Sequence, residues 1–240
     1  MKVVLIHGQN HQGSSCHMGR MLADRLSSPG EQTEFFLPRD LNHFCNGCCR
    51  CLEQEEACPF YSEKKIMMDA IAAADILIFT TPTYCMHASG PMKSFLDLTF
   101  TNWMVHRPKE YMFRKKAAIL SAAAGRGTKS AIGDIKTALT YWGIPEIHTY
   151  GTAVQATSWE QVTDEKKALI DQKLTQMAKK LSRPQPPAIG LQTRFLFLMM
   201  RKMQAAGWGS SPAEKQYWEQ QGWLGKVRPW KSKAATEKEQ

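Results

Sequence analysis

The sequence predicts an α/β fold, a doubly wound parallel sheet of five strands followed by a helical, Trp-rich extension. Three observations carry that expectation. Short apolar runs alternate with stretches of helical spacing through residues 2–181, the pattern of successive β-α units. Some runs are apolar without a break, as in residues 76–79, which suits strands covered on both faces. The pattern then stops at the Pro-rich stretch 182–187. Two units follow: residues 1–182 as the sheet domain, and residues 183–240 as an extension packing on the core or on a partner subunit.

Each element has a local reason. Residues 2–7 are apolar and β-branched, end at Gly8 and read as the first strand. Ser14 or Ser15 can cap a helix with Met18, Met21, Leu22 and Leu26 on its apolar face. Residues 27–30 stop it, and residues 33–37 form the second strand. Ser62 opens a helix carrying Ile66, Met67, Ala70, Ile71 and Ala74. Residues 75–81 are the third strand. Ser89 caps a helix with Phe95, Leu96, Phe100 and Trp103 at helical spacing. A strand at 116–121, a helix at 129–142 closed by Gly143, a strand at 147–151 and an amphipathic helix at 164–181 complete the series. In the extension, Phe195, Leu196, Leu198, Met199 and Met203 form an apolar stripe on a short helix.

Composition narrows the function. With 43 % apolar residues and seven Trp, the chain is not disordered as a whole. Its longest apolar runs fall far short of the roughly 18 residues that cross a bilayer. The first residues are too short for a signal-peptide core, so the expected setting is cytoplasmic. The net charge of +9 comes with no nucleic-acid recognition motif, and nucleic acid is excluded as a partner. A basic surface suits an anionic nucleotide, and mildly favours the extra phosphate of NADPH.

On such a sheet, ligands bind beyond the carboxyl ends of strands where strand order reverses. The loop after the first strand, Gly8-Gln9-Asn10-His11-Gln12-Gly13-Ser14-Ser15-Cys16, offers hydroxyls and free amides at a helix N-terminus. That is an anion site. Neither the Walker pattern nor the dinucleotide glycine spacing is present, so it fits one phosphate rather than a triphosphate. After the third strand, Pro82 and Tyr84 can wall a planar ring. After the fourth, the small residues of 121–128 let backbone approach a flat ligand. Arg126 in that loop either meets the ligand or faces solvent.

Pro82-x-Tyr84, followed by Ser89-Gly90-x-Met92-Lys93-x-Phe95-x-Asp97, resembles the flavodoxin-like NAD(P)H-dependent FMN reductases. The first loop matches at Gly8 and keeps the hydroxyls of Ser14 and Ser15. Gln9, Asn10 and His11 stand where that family commonly has Ser, Pro and Arg, and Cys16 stands near its usual Thr. The resemblance covers about residues 1–180. It implies strand order 2-1-3-4-5, FMN as cofactor and NAD(P)H as co-substrate. It also implies a small acceptor: a quinone, a nitroaromatic compound or free flavin. Gly8, Gln9, Ser14, Ser15 and Cys16 then serve the phosphate end. Pro82, Thr83, Tyr84, Cys85, Ala123, Gly125, Arg126 and Gly127 surround the ring. The cofactor carries the chemistry, so no side chain is required as catalyst; His87 is a candidate proton donor.

Five of the seven Cys fall within residues 45–58. Cys45-x2-Cys48-x2-Cys51-x6-Cys58-Pro59 is a compact four-thiolate pattern. It resembles the motif of iron-sulfur flavoproteins, a branch of the same family, and so implies a 4Fe-4S cluster. The alternative function is then electron transfer without NAD(P)H turnover of the chain's own. Four thiolates suit zinc as well, and packed or redox-active thiols are a third reading. Cys16 and Cys85 are read as small fillers.

Four of the seven Trp lie in the extension: Trp208, Trp218, Trp223 and Trp230. Such anchors bury against their own core or a partner, and a homodimer surface is preferred here to membrane association. His7 reads as a satisfied core group and His106 as a partner of a helix C-terminal dipole. Residues 231–240 are expected to fray.

Overall fold

The computed structural model describes residues 1–231; the fraying expected of 232–240 lies outside the described residues. The strands are β1 (Val3–His7), β2 (Gln32–Phe36), β3 (Ile76–Tyr84), β4 (His87–Ala88), β5 (Lys116–Ala123) and β6 (Glu146–Ala153). Five of them run parallel in the order β2-β1-β3-β5-β6, the flavodoxin-like order. The two-residue β4 folds back antiparallel on the end of β3, a hairpin the sequence pattern does not announce. Pairing sets His7 beside Thr80, Pro82 beside Ala122 and Ala123 beside Ala153. β3 and β5 therefore run on past the end of β1, and their last residues stand around Gly8.

The helices are α1 (Ser14–Leu26), α2 (Arg50–Glu53), α3 (Tyr61–Ala73), α4 (Gly90–Leu98), α5 (Thr128–Trp142), α6 (Asp164–Leu181), α7 (Leu191–Ala205) and α8 (Pro212–Gln220). Alternate strand residues point to opposite faces. Leu5, Ile78 and Leu120 accordingly pack under α1 and α6, with Met18, Leu22, Ile170 and Leu174. Ile6, Leu77, Phe79 and Ile119 pack under α3, α4 and α5, with Met67, Ile71, Phe95, Ile135 and Trp142. Two consecutive lysines, Lys115 just before β5 and Lys116 at its first position, serve the two layers separately. Lys115 Nζ donates to Ala72 O at 2.9 Å and to Ala74 O, at the end of α3. Lys116 Nζ donates to Leu181 O at 3.1 Å and Arg183 O at 2.7 Å, at the end of α6. These cations satisfy carbonyls that a helix end leaves without partners.

Several expected details differ. On α3 the buried face is Lys64, Met67, Met68 and Ile71, while Ile66 is exposed. α4 stops at Leu98, so Phe100 and Trp103 lie beyond it. On α7 the inward residues include Leu196, Phe197 and Met200; Phe195, Leu198 and Met199 face outward.

The inward face of α7 joins Met104, Phe113, Trp218 and Trp223 in a third apolar cluster. Trp218 Nε1 donates to His106 O at 2.7 Å, and Tyr217 Oη to Pro108 O at 2.6 Å. Most of the aromatic anchors are thus used within the chain. His106 lies on no helix end; its Nδ1 meets Glu214 Oε1 at 2.5 Å. Burial is the largest single influence on the Glu214 carboxyl and would raise it, but the bond to His106, its charge, and the bonds from Ser210 N and Gln204 together hold the carboxyl below its ordinary range. His7 is buried, stacked on Phe36, with Nδ1 2.8 Å from Thr80 Oγ1.

Candidate functional site

The first loop and the β3–α4 loop are tied together from below. Gly8 N donates to Thr80 O at 2.7 Å, and Ser89 Oγ donates to Gly8 O. A Cβ on Gly8 would lie 2.8 Å from Ser89 Oγ, so this crossing admits only glycine without a shift. Ser89 N in turn donates to Thr81 Oγ1 at 3.0 Å. Arg20 braces the loop from α1: it donates to Gln12 Oε1 at 2.8 Å and grips Glu34 with two further bonds of 2.8 Å each. Glu34 is pushed down to about 2, first by the Arg20 hydrogen bonds and then by His7.

Above this floor lies a cleft of about 270 Å³. One end holds Gln9, His11, Gly13, Ser14, Ser15 and Cys16. The first-turn amides of α1 are there, where a helix leaves donors free and favours negative charge. The other end is walled by Pro82, Thr83 and Tyr84 on one side and by Ala122, Ala123 and Ala124 on the other. Tyr84 and the last residues of β3 reach it because β3 outruns β1.

The sequence-predicted residues divide. Gln9, Ser14, Ser15, Cys16, Pro82, Thr83, Tyr84 and Ala123 line the cleft; Gly8, Cys85, Gly125, Arg126 and Gly127 are not among its lining residues. Gly8 lies beneath it. Gly127 lies close behind the wall: at φ +100°, a Cβ added there would come within 2.7 Å of Thr83 Cγ2. Cys85 and Met86, at φ 48° and 69°, form the exposed turn between β3 and β4. Arg126 is exposed.

Ser15 has a different employment from the one expected. Its hydroxyl donates to Thr81 O at 3.1 Å and accepts from Ala122 N at 3.1 Å, bolting α1 to β3 and β5. Cys16 is buried, and burial pushes its thiol up. His87 does not line the cleft; its Nδ1 pairs with Asp134 Oδ2 at 3.1 Å.

Sequence reasoning assigned no role to His11, in the first loop, and missed Val154, Ala156 and Thr157, all of which also line the cleft. The last three follow β6, and the rule that ligands sit beyond strand carboxyl ends already pointed there. A larger hollow of about 560 Å³ lies at the opposite edge, but its Lys115 and Lys116 are turned onto main-chain carbonyls.

The family model for NADPH-dependent FMN reductases matches residues 1–158. The chain belongs to the NADPH-dependent FMN reductase family. The NAD(P)H-dependent FMN reductase PA1204 of Pseudomonas aeruginosa is 31 % identical over 129 residues, 53 % of this chain. The match spans 64 % of that relative's length. Two solved structures share the fold. An azoreductase from Bacillus anthracis has a TM-score of 0.58 at 15 % identity, over 76 % of this chain and 99 % of that one. An NAD(P)H:quinone oxidoreductase from Methanothermobacter marburgensis has a TM-score of 0.56 at 14 % identity, over 77 % and 98 %. In this FMN reductase family member, both motif-bearing loops fall within the matched residues.

The cysteine segment is a separate feature. Cys45, Cys48, Cys49, Cys51 and Cys58 line one apolar hollow of about 70 Å³, with Pro59, Phe60, Leu98 and Phe100. Cys51 is buried, Cys58 half-buried and the others exposed. Burial pushes the Cys51 thiol up, against the pull of Lys64. Lys64 Nζ is buried without a hydrogen-bond partner. Among the described residues, no group of three or more His, Cys, Asp or Glu is arranged to hold a metal ion. The convergence of Cys45, Cys48, Cys51 and Cys58 expected from their spacing is therefore not what this structure presents. Cys51, on α2, is the buried one, while Cys45 and Cys48, which line the same hollow, are exposed.

Proposed function

We propose that this chain is an FMN-dependent NAD(P)H oxidoreductase that reduces a small planar acceptor such as a quinone, a nitroaromatic compound or free flavin. One observation carries the reading: a cleft with hydroxyl and amide donors at one end and an apolar wall at the other, in a member of this family. The donor set fits FMN. Ser14 Oγ and the α1 amides would donate to the phosphate, as a helix N-terminus does for anions. Ser15 would act indirectly, by fixing α1 against the two strands that form the wall. Pro82, Thr83 and Tyr84 would face the ring from one side, and Ala122, Ala123 and Ala124, lacking bulk, from the other. Gly127, lacking a Cβ, leaves the room that Thr83 occupies.

FMN, when bound, supplies the hydride and electron chemistry. The protein's part is to bind it, orient it and limit water at the ring. Tyr84, half-exposed at the rim, is placed to contact an incoming planar molecule. His87 is engaged by Asp134 and takes no proton-transfer role in this reading. The cysteines, which line a separate hollow, take no part in this reading.

The test is steady-state NADH and NADPH oxidation by FMN-loaded protein with a quinone present. Turnover that needs both FMN and acceptor supports the reading; failure to bind FMN at micromolar concentration overturns it. Iron and sulfide assay after anaerobic purification is the companion. About four irons per chain without NAD(P)H turnover would favour the electron-transfer alternative.

A further inference from the structure

We propose that the outer face of α7 docks on an anionic lipid surface. A helix on a soluble domain ordinarily carries one apolar stripe. α7 carries two. The inner one, Leu196, Phe197 and Met200, is buried with Met104, Phe113 and Trp218. The outer one consists of Leu191, Phe195, Leu198 and Met199, which are 86 %, 67 %, 43 % and 36 % exposed. At 3.6 residues per turn these four fall within an arc of about 100°. Trp208, 73 % exposed, follows the helix end, and its amide donates to Met203 O at 2.9 Å. No contact within the described chain covers this stripe, and α7 does not need it for its own packing.

Charge decides the occupant. Arg194, Arg201 and Lys202 flank or interrupt the outer stripe; Arg201 also donates to Leu224 O at 2.8 Å. Residues 189–231 hold seven Lys or Arg against two acids, Glu214 and Glu219. Glu214 is buried against His106, which leaves Glu219 as the exposed carboxylate of that stretch. A second copy on the same face would bring two basic rims together. It would also cover little: one face of a helix this long is about 22 Å by 10 Å, roughly 220 Å², against about 800 Å² per partner in a stable dimer. Anionic headgroups complement the rim, while the apolar residues and Trp208 enter the boundary beneath them, as interfacial helices do.

The test is vesicle flotation with the FMN-loaded full chain. Phosphatidylcholine vesicles are compared with vesicles containing about one third phosphatidylglycerol. Co-flotation is expected with the anionic vesicles alone, falling at least tenfold on moving from low to high salt. The double variant Phe195→Ser/Leu198→Ser should lose binding at least tenfold, with FMN content and NAD(P)H turnover unchanged. Lys202→Glu, at an exposed position, should weaken it severalfold and serves if the double variant misfolds. Absence of anionic-vesicle binding at low salt overturns the proposal, as does undiminished binding by the variants. A wild-type dimer that the double variant converts to monomer would also overturn it, because a second copy would then cover this face.

Discussion

β3 carries Pro82, Thr83 and Tyr84 past the end of β1, whereas residues 45–58 hold only the four-residue α2 and a short 3-10 turn at Glu55–Ala57 as regular structure. Both stretches bear a motif whose spacing suggests a site. In the first, spacing becomes geometry because a ladder enforces it: Pro82 is paired with Ala122, and Thr83 Oγ1 meets Ser121 Oγ at 3.0 Å. In the second, the anchors hold main chain and leave the sulfurs free to differ. Arg107 donates to Cys51 O, and to Leu52 O at 3.0 Å; Ser211 Oγ donates to Leu52 O at 2.9 Å. A loop of given spacing can therefore be well anchored and gather its sulfurs around one hollow without arranging three of them to hold a metal ion.

The sharpest way to break this contrast is to make one change in both places. Gly127 has φ +100° with Thr83 Cγ2 and Met86 crowding its Cβ position; Gly47 has φ +68° with nothing within 4 Å. Gly127→Val should cost about 3 kcal/mol, left-handed backbone plus overpacking, and should abolish tight FMN binding. Gly47→Val should cost about 1 kcal/mol and leave FMN affinity intact. Denaturant melts and flavin-fluorescence titrations read both; equal effects would dissolve the distinction. Next in size is Ser14→Ala. Loss of one bond to a charged phosphate costs about 2 kcal/mol, so FMN should bind roughly thirtyfold more weakly.

A smaller effect lies beneath the cleft. Glu34 is held near 2 by Arg20 and His7, well below the usual Glu value. A depressed carboxyl stabilises the fold above its unfolded pKa and loses that contribution as pH falls through the folded one. Thermal stability should drop between about pH 4.5 and pH 2 more steeply in the wild type than in Glu34→Gln. The smallest expected effect is a null result. Replacing Cys45, Cys48, Cys51 and Cys58 together by Ser should leave FMN affinity and turnover within about twofold, since these thiols line a different hollow. A tenfold loss would return the cysteine segment to the functional site.

The sheet was readable because each central strand is a continuous apolar run, and the cleft because its motifs sit at strand ends. What stayed hidden depends on tertiary partners. Ser15 looks like any hydroxyl at a helix start until Thr81 O and Ala122 N arrive from two strands. Ile66 looks more buriable than Lys64, yet α3 packs with Lys64 inward, close enough for its charge to act on Cys51. On α7, two apolar arcs compete, and periodicity alone cannot tell which one meets Trp218.

The paired lysines at the head of β5 have a consequence for how the chain chooses its alignment. Adjacent residues of extended backbone emerge on opposite sides, so Lys115, just before β5, and Lys116, its first residue, reach α3 and α6 together only in one parity. A slip of one residue would send each cation to the other layer, away from the helix end it now closes. The two side chains thereby act as a parity check on the central strand. The opposite end of the same strand carries Ala122 and Ala123 to the cleft, so the lysines fix at the far edge of the sheet the alignment that the site depends on.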